Sequence, residues 1–453
     1  MIPRFRHRAS TSPVGKLLAC WRGASTLSPS SDEKVREALV RPSWSHLPAP
    51  ADGPEKPRIA VAMSGGVDSS VAAYILKEQG CDVFGIYMKT WDELEEGESG
   101  CTVAEDRTFA RKACAHLSIP FVEVDLVAEY WQSVFQPYIE RFGAGQTPNP
   151  DLYCNEFMKF GALMKRAKEL GATGLATGHF ARLGYCESRK QVRLVRGLDK
   201  RKDQTYFLSR LNQDQLGSTV FPVGALTKDQ VRGLADSIGL PNAGKKSSTG
   251  ICFIGKRRFS NFLKQYIYPT PGEFVAVDGS SMGTHEGLEL YTRGQRSRIE
   301  SGGRGAFYVV GKDVDKGVVY VAENRDHPSQ FSRGAFLKEL HWIGFSPPGA
   351  YARTGRLRCE FKARYLEQDG KCTLYSPKTP VEDEPTKFYH SGSQETDVIG
   401  PLHYVKFDEP HAAVTPEQAL VLYDGDVCLG SALIHRPGKT LFEEEEERDC
   451  LLP

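Results

Sequence analysis

The stretch IAVAMSGGVDSSVAAYIL, residues 59–76, constrains this chain most. Residues 59–63 form a short apolar run, suited to a strand buried on both faces of a parallel sheet. Glycines and serines follow. Val67, Val71, Ala72 and Ile75 then fall on one face of a helix that Gly80 ends. DVFGIYM (82–88) is again strand-like, which completes a βαβ unit. Helical patterns near 103–117, 127–141 and 157–170 alternate with strands at 119–124 and in GLATGHF. This alternation predicts an α/β fold with helices on both faces of a parallel sheet, and ligands at the carboxyl ends of its strands.

The loop itself has the chemistry of an anion site. Its glycines let backbone amides approach a ligand, Ser64, Ser69 and Ser70 add hydroxyls, and the helix N-terminus adds its positive dipole end. It is neither G-x-x-x-x-G-K-[ST] nor G-x-G-x-x-G. S-G-G-V-D-S-S matches instead the PP-loop of ATP pyrophosphatases, which adenylate a carbonyl oxygen and release pyrophosphate. Asp68 has two readings: a carboxylate that works with Mg²⁺ at the phosphates, or a first-turn acid favourable to the helix dipole.

The 453 residues suggest two to four domains. With a net charge of +1, a nucleic acid would be gripped by local basic patches rather than a global field. The 11 cysteines are scattered and none forms C-x-x-C, which argues against structural zinc and against a secreted disulfide framework. No run approaches the ~20 apolar residues of a spanning helix, so no membrane partner is expected. The first thirty residues carry Arg4, Arg6, Arg8, Lys16 and Arg22, many Ser and Thr, and no acid before Asp32. That is the composition of an organellar transit peptide, the plainer alternative being an unstructured basic leader. A Pro-rich spacer follows, and folded structure is expected from near Arg58.

Four downstream stretches carry further chemistry. In GQTPNPDLYCNEFMKF (145–160), two prolines around Asn149 demand an extended loop before a helix. Cys154 near a helix start would be more nucleophilic, and Asp151 could move a proton. The alternative is a capping aspartate and a packed cysteine. ATGHFARL (176–183) places Gly178 and His179 at a strand end, where a lone histidine is more often structural than catalytic. In KRKDQTYFLSRL (200–211) a basic cluster either meets phosphates or is a solvated face. In KKSSTGICFIGKRRF (245–259), Cys252 lies between basic clusters that favour a thiolate or persulfide, or is a buried strand cysteine.

With these strings in order, and with YTRGQR and FYVVGKDV downstream, residues 58–436 resemble the tRNA-specific 2-thiouridylases, bacterial and mitochondrial enzymes of the PP-loop superfamily. The resemblance implies a sulfurtransferase that uses ATP with Mg²⁺ to replace the C2 oxygen of a tRNA wobble uridine with sulfur. It implies an ATP site at Ala62, Met63, Ser64, Gly65, Gly66, Val67, Asp68, Ser69, Met88 and Gly178. Cys252 would carry the persulfide, Cys154 would end in a transient disulfide with it, and Asp151 would be the acid/base. Asn149, Pro150 and Asp151 would meet the target base. His179, Lys202, Asp203, Gln204, Arg364, Tyr365 and Gln418 would contact tRNA. No resident protein-held metal is implied. The partners would be tRNA and a persulfide donor, either a cysteine desulfurase or a relay protein, serving a monomer. The leader points to the mitochondrial matrix.

The implied organisation is a transit and linker segment (1–57), a PP-loop domain (58–255, adenine nucleotide alpha hydrolase-like), a small central domain (256–328), a C-terminal β-barrel (329–436) and an acidic tail (437–453). GEFVAVDG, GLELYTRGQR, AFYVVGKDV and GVVYVAEN read as central strands, and YDGDV as a hairpin turn in the barrel. The insertion at 376–397 reads as a disordered loop and the tail as a solvated acidic run. The family's Lys–Gly pair is lost in GQRSRIESGG (294–303), its aspartate is Ser247, and a glycine is Ala62. Two other classes stand against this reading: another PP-loop ligase or amidotransferase, which leaves the paired cysteines unexplained, and a non-catalytic RNA-binding scaffold.

Overall fold

A computed structural model describes residues 29–47, 56–91, 103–246, 262–299, 305–390 and 400–451. Strands β1 (Arg58–Ala62), β2 (Asp82–Lys89), β3 (Phe121–Asp125), β4 (Gly174–Ala176) and β7 (Thr219–Val220) pair in parallel, in the order β3-β2-β1-β4-β7. Ile59, Ala60 and Val61 are fully buried, as the unbroken apolar run requires. The chain moves outward from β1 to β3 and then returns to lay β4 on the other side of β1. That reversal opens a crevice at the carboxyl ends of β1 and β4, where the loops after Ala62 and Ala176 begin.

Strands β5 (Ala181–Cys186) and β6 (Gln191–Arg196) form a hairpin that leaves this domain. The central unit is a five-stranded sheet containing β8 (Gly272–Ala276), β9 (Ser281–His285), β10 (Phe307–Asp313) and β11 (Val318–Glu323). GLELYTRGQR is not a strand here: it forms a short 3₁₀ turn, Leu288–Leu290, and then reverses at Gly294 with φ +84°. Beyond it, β12 (Phe331–Trp342), β13 (Arg356–Lys362), β14 (Gly370–Tyr375), β16 (His403–Ala412), β17 (Ala419–Asp424) and β18 (Val427–Pro437) run in the order β12-β16-β14-β13-β17-β18. Pairing of β12 with β18 closes a six-stranded antiparallel barrel. The YDGDV turn joins β17 to β18, with Gly425 at φ +56°. The β5–β6 hairpin adds to β18 through Val195 and Leu194, so the barrel and the nucleotide domain share one sheet. Tyr206, fully buried, donates from its hydroxyl to Ala419 O (3.1 Å) across the same junction.

Three expectations change. Folded structure begins well before Arg58: helix Pro29–Val40 packs Val35 and Leu39 into the core. Gln79 donates to Ala38 O (2.7 Å) and Arg41 O (2.8 Å), which satisfies the end of that helix. The acidic tail is not simply solvated, because Thr440-x-x-Glu443 is a capping box that starts helix Leu441–Leu451. The buried Glu443 carboxylate also accepts from Thr386 Oγ1 (2.7 Å) and Lys387 N (2.7 Å). The insertion is ordered as far as His390: Asp383 accepts from the Tyr404 hydroxyl (2.6 Å), and β15 (Tyr389–His390) pairs with β10. Residues 391–399 lie outside the described part. Among the described residues, no helix is long and apolar enough to cross a membrane.

Candidate functional site

The nucleotide loop is held from several sides. Gly65 takes φ +72°, and a Cβ there would stand 2.1 Å from the Asp106 carbonyl oxygen. Ser69 Oγ accepts from Ser64 N (3.3 Å) and donates to Gly66 O (3.1 Å). Buried Asn242 donates to Gly65 O and to Ser70 Oγ, both at 3.0 Å. Gly66 caps helix Val67–Glu78 with no side-chain hydrogen bond, leaving the first amides for an incoming anion. Asp68 pairs with Lys228. The cation beside it is therefore a lysine that the sequence reading missed, 160 residues away. Met88 and Ala62 are partly buried and pack on the main core.

The second loop obeys its prolines. Asn149 is extended (φ −108°, ψ 106°) and caps the helix that begins at Pro150, accepting from Asp151 N at 3.1 Å. Pro150 sits where its missing N–H costs nothing. Helix Pro150–Tyr153 runs on as a π-helical stretch, Cys154–Leu163, and then Met164–Glu169. Cys154 is buried, at 6% exposure, against the main apolar core. Burial holds the Asp151 carboxyl above its ordinary value, and the Lys159 ammonium offsets part of this.

His179 lies opposite. Lys159 Nζ approaches its Nε2 at 3.5 Å, and its Nδ1 lies 2.7 Å from Thr177 Oγ1. An ammonium cannot accept, so Nε2 is the acceptor and Nδ1 carries the hydrogen toward Thr177. Burial first, and Lys159 second, hold His179 well below the usual imidazole range, so it is neutral near pH 7. The neighbouring Gly178 presses on the nucleotide loop: a Cβ there would fall 2.6 Å from Ser69 N and 2.7 Å from Asp68 C. Adjacent residues of the loop after β4 thus touch the phosphate loop on one side and, through Lys159 and Phe160, the helix that continues from Cys154 on the other.

The residues expected to meet tRNA divide. Lys202 is exposed beside Lys200 and Arg201. Asp203 turns inward: it is buried, accepts from Gly197 N (3.0 Å) and Thr205 Oγ1 (2.8 Å), and faces Arg196 at 3.6 Å. Asp203→Asn should cost about 1–3 kcal/mol of stability: Arg196 keeps Asp369 at 2.8 Å, but the buried Gly197 amide and Thr205 hydroxyl lose a charged acceptor. Chemical denaturation measures this, and tRNA affinity at low temperature should be nearly unchanged. Gln204 fixes the loop after β4, accepting from Phe180 N at 2.9 Å. Arg364 is half exposed but paired with Glu367 at 3.0 Å. Tyr365 packs its ring 4.5 Å from Phe207. Gln418 reaches from the barrel to the Thr147 carbonyl (2.5 Å), and Lys312 from the central unit to Gly145 O (2.9 Å), so both later domains hold the loop that leads to Asn149.

Cys252 lies outside the described residues. Its flanks are fixed at the site. Asn242 and Lys245 bind Gly65 and Asp106 on one side, and Phe262 packs on Phe135, 6.0 Å between ring centroids, on the other. Among the described residues, no three His, Cys, Asp or Glu side chains converge as a metal site. Lys159, Lys228, Asn242 and Lys245 were missed because their partners are remote or, for Lys159, because the helix winding is irregular.

Comparisons with known proteins agree along the chain. Residues 57–256 match the family described as tRNA methyl transferase HUP domain, residues 260–323 the tRNA methyl transferase PRC-barrel domain, and residues 396–434 the aminomethyltransferase beta-barrel domain. The tRNA-specific 2-thiouridylase MnmA of Alkaliphilus oremlandii is 44% identical over 84% of this chain and 98% of its own. That of Klebsiella pneumoniae subsp. pneumoniae is 43% identical over 84% and 97%. NMN synthetase from Francisella tularensis aligns over 52% of this chain and 81% of its own, at TM-score 0.30 and 14% identity, too distant to carry a residue correspondence. With full-length relatives at this identity and a PP-loop at the switch point of its sheet, the chain belongs to the tRNA-specific 2-thiouridylase family.

Proposed function

We propose that this chain is a mitochondrial, ATP-dependent tRNA 2-thiouridylase that acts on the wobble uridine through Asp151, Cys154 and Cys252. The observation that carries the reading is the loop after β4, where Gly178 abuts the nucleotide loop and His179 meets Lys159 and Phe160 on the helix that continues from Asp151 and Cys154. ATP and uridine can then meet between the two. The first helix amides, from Val67 to Ser69, and the Ser64 hydroxyl suit its phosphates. Mg²⁺ would arrive on those phosphates, with Asp68 the one carboxylate in the helix's first turn.

Uracil C2 carries a poor leaving group. Transfer of AMP to its oxygen, with loss of pyrophosphate, makes AMP the leaving group. The terminal sulfur of a Cys252 persulfide then attacks C2, and AMP departs. The Cys154 thiolate attacks the Cys252 sulfur. The sulfur–sulfur bond breaks, its electron pair goes to the uridine sulfur as C2=S, and a Cys154–Cys252 disulfide remains. Asp151 takes up and returns the proton. An external thiol reductant and a persulfide donor, a cysteine desulfurase or a relay protein, reset the monomeric enzyme.

Nucleoside mass spectrometry tests this. Protein from residue 29 onward, unmodified mitochondrial tRNA, ATP, Mg²⁺ and a persulfide generator should yield 2-thiouridine at the wobble position. ATP turnover without thiolation, even with relay proteins added, would return the chain to the broader PP-loop ligases. The basic leader before residue 29, the first described helix residue, supports the mitochondrial assignment. Residues 1–28 fused to a reporter should drive import into isolated mitochondria, and failure would remove that assignment alone.

A further inference from the structure

We infer that Lys159 is a positioning residue for thiolation, holding Asp151 and His179 in their working arrangement from one point on the catalytic helix. The inference rests on the thiouridylase reading and adds a residue to it. Its basis is the winding of that helix. Asp151 and Lys159 are eight residues apart. In an unbroken α-helix, eight residues overshoot two turns by about 80°. The π turns from Cys154 onward close with i→i+5 bonds and hold more residues each. Winding therefore lags, and Lys159 falls back toward the line of Asp151.

From there its ammonium meets His179 Nε2 at 3.5 Å and sets the histidine tautomer, while its charge acts on the Asp151 carboxylate. Lys159 itself is only partly buried. The other groups facing this cluster are few. Tyr138, on helix Gln136–Gly143, feels the Asp151 charge. Thr177 Oγ1 lies at the far ring nitrogen, and the Phe160 and Phe221 rings flank the imidazole at 6.0 and 6.1 Å. Lys159 is the one cation among these groups.

Removing the charge favours protonated Asp151, so the base is lost at a higher pH than in the wild type. His179 loses only the smaller of its two depressing influences and stays neutral. Lys159→Met should lower single-turnover thiolation on the order of tenfold to a hundredfold, move the acid limb of its pH profile upward, and leave KM for ATP and Kd for tRNA nearly unchanged. Lys159→Arg, which keeps the charge, should restore the acid limb. A Lys159→Met acid limb that coincides with the wild type, or a defect wholly in tRNA affinity, would overturn the inference and make Lys159 a simple phosphate contact. If Lys159→Met fails to fold, the Lys159→Gln profile decides in its place. Wild-type protein run in parallel separates the two failures: only its failure to thiolate counts against the thiouridylase reading.

Discussion

Cys154→Ala is expected to reduce 2-thiouridine formation by about a thousandfold or more, while ATP-dependent adenylation of the tRNA continues. The residue is buried and small, so alanine removes one sulfur atom from an apolar setting and the fold should tolerate it. Serine would be a poorer probe, because its hydroxyl would need a partner. Without the Cys154 thiolate, the sulfur on C2 stays joined to Cys252. The variant should therefore accumulate a tRNA adduct that a denaturing gel resolves. Millimolar dithiothreitol should free 2-thiouridine from it, since an external thiolate can attack the same sulfur–sulfur bond. No adduct, and equal activity with or without thiol, would show that Cys154 is a packing cysteine and that sulfur leaves Cys252 another way.

Gly178→Ala should abolish ATP binding at millimolar concentration and lower stability by about 1–3 kcal/mol. The added methyl would stand 2.6 Å from the Ser69 amide nitrogen and 2.7 Å from the Asp68 carbonyl carbon, both backbone atoms. Neither can swing aside as a side-chain tip could. Relief requires the nucleotide loop and the loop after β4 to move apart, which displaces the first amides of helix Val67–Glu78 and His179 together. Isothermal titration with a non-hydrolysable ATP analogue and a urea melt read the two effects. Gly184→Ala is the control: it is in the adjoining β5, and its Cβ would meet only a Val195 methyl at 3.5 Å, an ordinary contact. Wild-type affinity in Gly178→Ala would mean that the two loops are not packed as described.

Strands β1 to β4 of the N-terminal sheet were legible as short, largely apolar stretches between helical periods, whereas β7 is two residues long and carried no signal. In the barrel the signal was alternation, as in β13, together with the turn at Gly425. Two features broke local rules. The 29–47 segment looked like linker because its polar residues and prolines outnumber its apolar ones, yet Val35, Leu39 and Leu47 suffice to dock it. The acidic tail looked solvated because four of its five glutamates have little to distinguish them; the capping box beginning at Thr440 was the missed signal.

By itself, the sequence determined the nucleotide loop, the extended Asn149–Pro150 entry to the helix that carries Asp151, and the family. Each is written in contiguous residues whose local conformations or spacing admit few alternatives. Only the tertiary structure decided that Asp203 faces Arg196, that Asp68 answers Lys228, that the Ala181–Arg196 hairpin joins the barrel sheet, and that Lys159 meets His179. These depend on long-range packing and on π winding, and a local pattern with a period of 3.6 or 2 carries no record of either.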